Sequence, residues 1–363
     1  FSCESFIDLK PLDQITVDNY WKSSNDLKNY MLQFYPVFHN YSAMVSELAT
    51  NSDDMVHGSP SNILNGERTT RSGNWRGEWT QIRNVNIFFE NYEKCEDAFS
   101  AYKHYVGEAH FFRAWFYFNM LKMYGDLPWY SNVIGLNDED ALMSPRQPRD
   151  FIANKILEDL DNAISYLDPR SKAGNLKINK EAALAFKTRV SLFEGTWQKY
   201  HAGTPFGTPG VDPDKYFQEC ISAAEELMNG NYSVGIYNTG EPDIDYFKMF
   251  GFVNMSNINE VILYRAFNHA EGFGNTVEGY LSYNASEKGA TWGLISSYLG
   301  KDGKPYNYLE LAKTTKGNMF LTQIGNDCDP RLKSTIYMPG DIRGAAVGLI
   351  FEKPTIYAGV SQL

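Results

Sequence analysis

The sequence predicts a mainly α-helical protein whose helices come in consecutive antiparallel pairs and present one irregular, loop-rich face. Three observations carry this. The stretch Glu108–Tyr124 is apolar around nearly the whole helical wheel. Amphipathic patterns with short or medium connections lie on both sides of it. After Gly230 helical periodicity fades, and Gly, Asn, Tyr and Ser take over.

The central stretch comes first because it must be the deepest. Phe111, Phe112, Trp115, Phe116, Phe118, Leu121 and Met123 cannot share one face of a helix at about 100° per residue. Such a helix needs cover on most sides. Gly125 ends it, Asp126 turns the chain and Pro128 blocks re-entry.

In chain order, Ser24 is placed to cap a helix carrying Leu27, Tyr30, Met31 and Phe34. Ile82, Val85, Phe89 and Tyr92 step by three, four and three, an amphipathic helix that runs to about Glu93. The deep helix follows, from Tyr102 to Tyr124. Asp150 is placed to cap a helix with Ile152, Ile156, Leu160, Ala163, Ile164 and Leu167 in one stripe, closed by Asp168-Pro169. Asn179 opens a helix that lines up Ala182, Phe186, Val190 and Phe193. Asp212-Pro213 starts another, with Phe217, Ile221, Ala224 and Met228 facing inward until Gly230. This is the layout of tetratricopeptide-like helical pairs, although the literal repeat consensus is absent. Val261–Tyr264 reads as a short strand. Residues 51–71, 200–213 and 267–288 are irregular, and loops this long are usually functional or disordered. The chain has no linker-like tract, so all 363 residues read as one domain, with a helical core at 79–229 and a loop-rich part at 230–363.

Charge excludes several functions. A net charge of -11 opposes nucleic-acid binding, which needs a basic surface, and electrostatic adhesion to anionic lipid. No run of about eighteen apolar residues spans a membrane. Phe1-Ser2-Cys3 reads like the end of a bacterial lipoprotein signal, in which a small residue precedes an acylated cysteine; a doubly acylated cysteine anchors stably. The alternative is an ordinary cysteine near a domain start. Cys95 and Cys220, on predicted helices, read as small buried hydrophobes.

A search for catalytic chemistry returns none of the familiar patterns: no H-E-x-x-H, no G-x-S-x-G, no phosphate-binding glycine loop. The six histidines are scattered, and no cofactor is expected. The acidic pairs Asp53-Asp54, Asp138-Glu139-Asp140 and Asp243/Asp245 sit in loops and read as solvated. Asp302-Gly303 is a fragment of a calcium loop without the remaining ligands.

Aromatic residues are the better clue. They make up 15% of the chain, 24 of them tyrosines. In polar loops, Tyr and Trp offer a flat apolar face with a hydrogen-bonding edge. Sugar rings match that, with C–H groups on a face and hydroxyls at the rim. The candidate ligand-binding residues are therefore Trp75, with Arg68, Arg71 and Asn74 around it and Asp53 and Asp54 upstream, together with Tyr280, Tyr283, Asn284 and Trp292. Local packing is the competing explanation for each aromatic singly. Arg68 and Arg71 make an acidic sugar an option.

The deep stretch also resembles a family signature. Glu108, Ala109, Phe111, Arg113, Ala114, Tyr117, Phe118, Tyr124, Gly125 and Pro128 fall on the pattern E-A-x-F-x-R-A-x-x-Y-F-x-L-x-x-x-Y-G-x-x-P of the SusD/RagB family. Pro145-Arg146 with Ile152 and Leu157–Asp161, then Ala182–Ala185 with Arg189 and Leu192, then Asp302–Pro305 and Asp329–Leu332, follow in that family's order. The resemblance implies a tetratricopeptide-like fold and an outer-membrane, surface-exposed protein anchored through Cys3. It implies a TonB-dependent SusC-like transporter as partner and an oligosaccharide or polysaccharide as ligand, without catalysis. Members are usually longer, so a C-terminal segment is expected beyond Leu363. The alternatives are a surface glycoside hydrolase and a helical scaffold for a protein partner.

Overall fold

The computed structural model describes residues 20–38, 52–57, 61–62, 64–67, 69, 75–135, 137–274, 288–344 and 348–351. Cys3 lies outside them. The described chain is mainly helical and forms two compact units. One holds the described residues within 1–37, 73–234 and 261–264, and the other those within 38–72, 235–260 and 265–363.

The first unit is built of α1 (Ser24–Leu32), α2 (Trp75–Asn91), α3 (Phe99–Tyr124), the single turn α4 (Glu139–Leu142), α5 (Arg149–Tyr166), the single turn α6 (Arg170–Ala173), α7 (Lys180–Tyr200) and α8 (Asp214–Asn229). Ser23, not Ser24, caps α1. Only from position 23 does Asp26 fall where its carboxylate can accept the Ser23 N–H (2.8 Å) and complete a capping box. Asn179 caps α7 as expected, accepting the Ala182 N–H at 2.8 Å. Pro148 and Pro213 occupy the caps of α5 and α8, so Asp150 sits in the first turn, where its charge favours the helix N-terminus. Cys95 lies in the turn after α2 rather than on a helix.

Contacting pairs show that the helices are antiparallel. Between α2 and α3, Trp75 meets Tyr124, Trp79 meets Tyr117, Asn86 meets Arg113 and Phe89 meets His110. One partner climbs as the other descends. The same holds for α3 on α5, from Arg149 at Leu121 to Arg113 at Asp159 and Phe99 at Tyr166. Between α7 and α8 the approach is close enough that a Cβ at Gly195 would stand 2.7 Å from the Phe217 ring. The deep helix α3 is covered as its composition demands, with Phe111, Phe112, Phe116, Phe118 and Leu121 all buried. Residues 261–264 form no strand. Their carbonyls accept from Arg170 and Asn179 side chains, and the Tyr264 N–H donates to Asn175 O, so no ladder partner is available. No helix among the described residues is long and apolar enough to cross a membrane.

The second unit contains helices too short for periodicity to reveal: α9 (Pro242–Phe250), α10 (Trp292–Ser297), α11 (Tyr308–Thr314), α12 (Gly317–Asp327) and α13 (Arg331–Thr335). Strand β1 (Met55–His57) pairs antiparallel with β2 (Lys288–Ala290), and β3 (Ile342–Gly344) with β4 (Leu349–Ile350). Ile295, Tyr308, Ile324, Cys328, Leu332 and Met338 make its core. The Asp302-Gly303 fragment is a turn, with Gly303 at φ 75° and the Lys304 N–H on Asp302 (3.1 Å). In Asp329-Pro330-Arg331, the aspartate accepts the Arg331 N–H and grips its guanidinium at 2.6 and 3.0 Å.

The polar signature residues of α3 hold elements together. Glu108 accepts the Tyr35 hydroxyl, which in turn accepts the Ile178 N–H at 3.0 Å. Arg113 makes two 2.7 Å hydrogen bonds to Asp159 on α5, and His110 lies 2.7 Å from the same carboxylate. Burial alone would push the Asp159 carboxyl up. The Arg113 guanidinium and His110 outweigh it and hold the group below the ordinary 3.8. A depressed carboxyl stabilises the fold fully above its unfolded value and ceases to as pH falls through its folded one. We predict that Arg113→Ala, which strands a buried charge, costs about 3–5 kcal/mol in denaturant unfolding. The wild-type stability that this pair supplies should fall away only below pH 3.8. A loss under about 1 kcal/mol, the worth of a surface pair, would show that the pair is not buried as described.

Candidate functional site

One face of α2 forms the floor of a cavity in the first unit. Trp75, Trp79, Ile82, Arg83 and Asn86 recur at helical spacing and line it together. Its wall is the chain between α3 and α5: Pro128, Tyr130, Asn132, Ile134 and Gly135, then Leu142, Ser144 and Arg146. The volume is about 600 Å³, within the range of small-molecule sites.

The wall is built from the signature outward. Gly125, at φ 73°, ends α3 in a conformation costly for any residue with a Cβ. Leu127 and Gln147 then exchange two main-chain hydrogen bonds, 3.2 and 2.8 Å. Tyr117, buried in α3, accepts the Tyr130 N–H at 2.8 Å, and the Tyr130 hydroxyl donates to Ala141 O at 2.8 Å. Burial pushes both phenols up, so each remains a neutral donor. Asn86 is the central tie. Its amide N–H groups donate to Tyr130 O (3.0 Å) and Asn132 O (3.1 Å), while its carbonyl accepts Arg113 at 3.3 Å. Arg83 donates to Ile134 O at 2.5 Å. At the α5 end, Arg149 donates its main-chain N–H to Asp126 (2.9 Å) and its guanidinium to Glu194 (2.9 and 3.1 Å). Burial outweighs that arginine and pushes the Glu194 carboxyl up.

The aromatic rings stand edge to face. Trp75 is 4.8 Å from Tyr124 and 5.4 Å from Trp79, and Trp79 is 5.3 Å from Tyr130. Trp75 remains 36% exposed. The Arg146 guanidinium lies over its ring, 5.2 Å from the centroid. The site therefore offers aromatic surface, an exposed amide at Asn132 and two guanidinium groups. None of its lining residues is a carboxylate. Glycoside hydrolysis of the usual kind needs two. Among the described residues, no group of three or more His, Cys, Asp or Glu is placed to hold a metal ion.

Of the residues singled out from sequence, Trp75 is on this cavity, as the first residue of α2 rather than just ahead of it. Asp53, Asp54 and Trp292 come together in the second unit. Thr291 donates its N–H to Asp54 O (2.9 Å) and its hydroxyl to Asp53 O, and caps α10, which starts at Trp292. Trp292 packs on Tyr308 and Phe320 and stays half-exposed. Arg68, Arg71, Asn74, Tyr280, Tyr283 and Asn284 lie outside the described residues. The other acidic pairs act locally: Asp138 caps α4 and Asp245 accepts from Thr239. A cavity of about 640 Å³ in the second unit mixes Lys301 and Lys333 with Asp243 and Asp341 and has no tryptophan.

Sequence reading missed Trp79, Arg83, Asn86, Tyr130, Asn132 and Arg146. The signal for the α2 residues was their spacing from Trp75, masked by the adjoining apolar stripe, which shares Ile82 with the cavity face. Tyr130 and Arg146 carried no local signal, because the contacts that place them are tertiary.

A family model, SusD-like_3, described as starch-binding associating with outer membrane, matches residues 6–192, more than half of the chain. SusD-like protein P25 of Formosa agariphila is 24% identical over 262 residues, which is 64% of this chain and 46% of that protein. A SusD-like protein of Bacteroides fragilis has a similar structure, with a TM-score of 0.72 at 22% identity over 95% of this chain and 66% of its own. A SusD-like carbohydrate-binding protein of the same species gives 0.66 at 20% identity, over 89% and 61%. At these identities the structural likeness speaks for the fold. The chain spans about half of the length of the Formosa relative and under two thirds of the carbohydrate-binding one.

Proposed function

The chain belongs to the SusD-like family, and on that premise we propose that it captures oligosaccharide or polysaccharide at the cell surface and hands it to a TonB-dependent SusC-like transporter. The observation that carries the reading is the cavity on α2, where Trp75, Trp79 and Tyr130 stand beside Arg83, Asn132 and Arg146. Apolar ring surface rimmed by amide and guanidinium donors suits a sugar, whose faces are C–H and whose edges are hydroxyls. The carboxylate-free lining favours binding over hydrolysis. A concave aromatic groove favours a glycan over a protein partner on a flat scaffold. The carbohydrate-binding relative from B. fragilis supports the ligand class.

A binder without catalytic groups cannot move its ligand across a membrane, so a transporter must receive it. The helical pairs of the first unit offer a rigid docking surface, and a stable complex would bury more than about 1,000 Å². Attachment runs through a lipid on Cys3.

Trp75→Ala removes an aromatic wall and the seat of Arg146. By the scale of base stacking on aromatics it should cost about 1–3 kcal/mol, or roughly tenfold to a hundredfold in Kd. Calorimetry against a glycan that the wild type binds reads this directly. Unchanged affinity in a folded variant takes the cavity out of the reading. In cells, Cys3→Ala should leave the protein in the soluble fraction, and continued fatty-acid labelling would refute the anchor. Mild solubilisation of wild-type membranes should bring out the protein with its transporter. Recovery of the protein alone, from membranes that keep other such complexes intact, counts against delivery.

A further inference from the structure

The cavity's charge is the reverse of the protein's. The chain carries -11, yet the charged side chains lining the site are Arg83 and Arg146. The two carboxylates of α2 are not among the lining residues and have partners of their own: Glu90 accepts the Val133 N–H at 2.7 Å, behind the wall, and Glu78 lies beside Lys122. The turn α4 lends Leu142 to the wall, while the acidic residues 138–140 lend none of their side chains.

Arg146 is the more telling of the two. Its guanidinium lies over the Trp75 ring, 5.2 Å from the centroid, so the cation and the indole stand side by side in the lining. No salt bridge ties it to a carboxylate among the described residues. A guanidinium held by a ring in this way keeps N–H donors for a planar or tetrahedral anion. Its position is set, because the next residue, Gln147, exchanges two hydrogen bonds with Leu127. Arg83 is anchored by Ile134 O at one nitrogen, which leaves further donors. Distance decides between these two cations and the protein's bulk negative charge. At physiological ionic strength, exposed charges beyond about 8 Å are largely screened, so the charged groups that line the site weigh most in the field that a bound ligand feels.

From this we infer that the α2 cavity selects glycans bearing an anionic substituent, a uronate carboxylate or a sulfate ester, with Arg146 as the recognising group and Arg83 as its companion. The inference rests on the glycan-binding reading above, and the test separates the two. Three probes of matched length are titrated by tryptophan fluorescence: oligogalacturonate, sulfated galactan oligosaccharide and neutral galacto-oligosaccharide. At least one charged probe should bind tenfold or more tighter than the neutral one, and which of them does identifies carboxylate or sulfate. The gap should narrow as NaCl rises from about 0.05 to about 0.5 M. Arg146→Gln should abolish the gap by weakening charged-probe binding at least tenfold more than neutral binding, while Arg146→Lys, which keeps charge but not the fork, restores part of it. Equal binding of charged and neutral probes, lost together in Trp75→Ala, overturns the charge selection and leaves the glycan site standing. A preference that survives Arg146→Gln overturns the role of Arg146. No response to any probe overturns the glycan reading and this inference with it.

Discussion

The buried pair between Arg113 and Asp159 is the constraint on which the rest of the first unit depends. A bidentate guanidinium–carboxylate contact fixes both distance and rotation, so it sets α3 on α5 as apolar packing alone would not. The third nitrogen of the guanidinium then reaches Asn86 on α2. Three helices are thus indexed to one cation, and Asn86 passes that setting to the main chain of Tyr130 and Asn132. The Arg113 guanidinium also lies over the Phe89 ring at 4.3 Å and faces Trp129 at 5.4 Å. A desolvated cation needs such company on every side.

The signature stretch can be understood in these terms. Its apolar residues bury a helix, whereas its polar ones have separate mechanical tasks. Glu108 ties in Tyr35 and Ile178, Arg113 ties in Asp159 and Asn86, and Tyr117 holds Tyr130. None of them lines the cavity. They shape a wall whose exposed residues lie elsewhere in the chain. A family can therefore keep the frame while the recognising side chains differ.

This division also explains what was legible in the sequence. The helical core could be read because amphipathic stripes and the all-round apolar run of α3 are local signals that burial does not override. The start of α1 moved by one residue because the capping box with Asp26 closes only from Ser23, and that of α5 by two because Pro148 takes the cap. The short helices of the second unit, such as α10 and α13, are too brief to show a period and are held by the cap at Thr291 and by Asp329, which accepts the Arg331 N–H. Trp75 was found by its polar surroundings. Trp79, four residues on, was not, since an aromatic inside a helix reads as core. Arg146 lies sixteen residues after Tyr130 and reaches the site only through the Leu127–Gln147 bridge.

That bridge has a consequence for how the protein can change. It closes the chain from Leu127 to Gln147 into a loop whose two ends are stapled to the frame. Lengthening a loop with fixed ends costs little, about 0.6 kcal/mol for each doubling. Insertions there would remodel one side of the cavity while leaving α2, α3 and α5 in place. The frame is rigid, and the segment between the staples is an evolvable cassette on which new ligand preferences can be written.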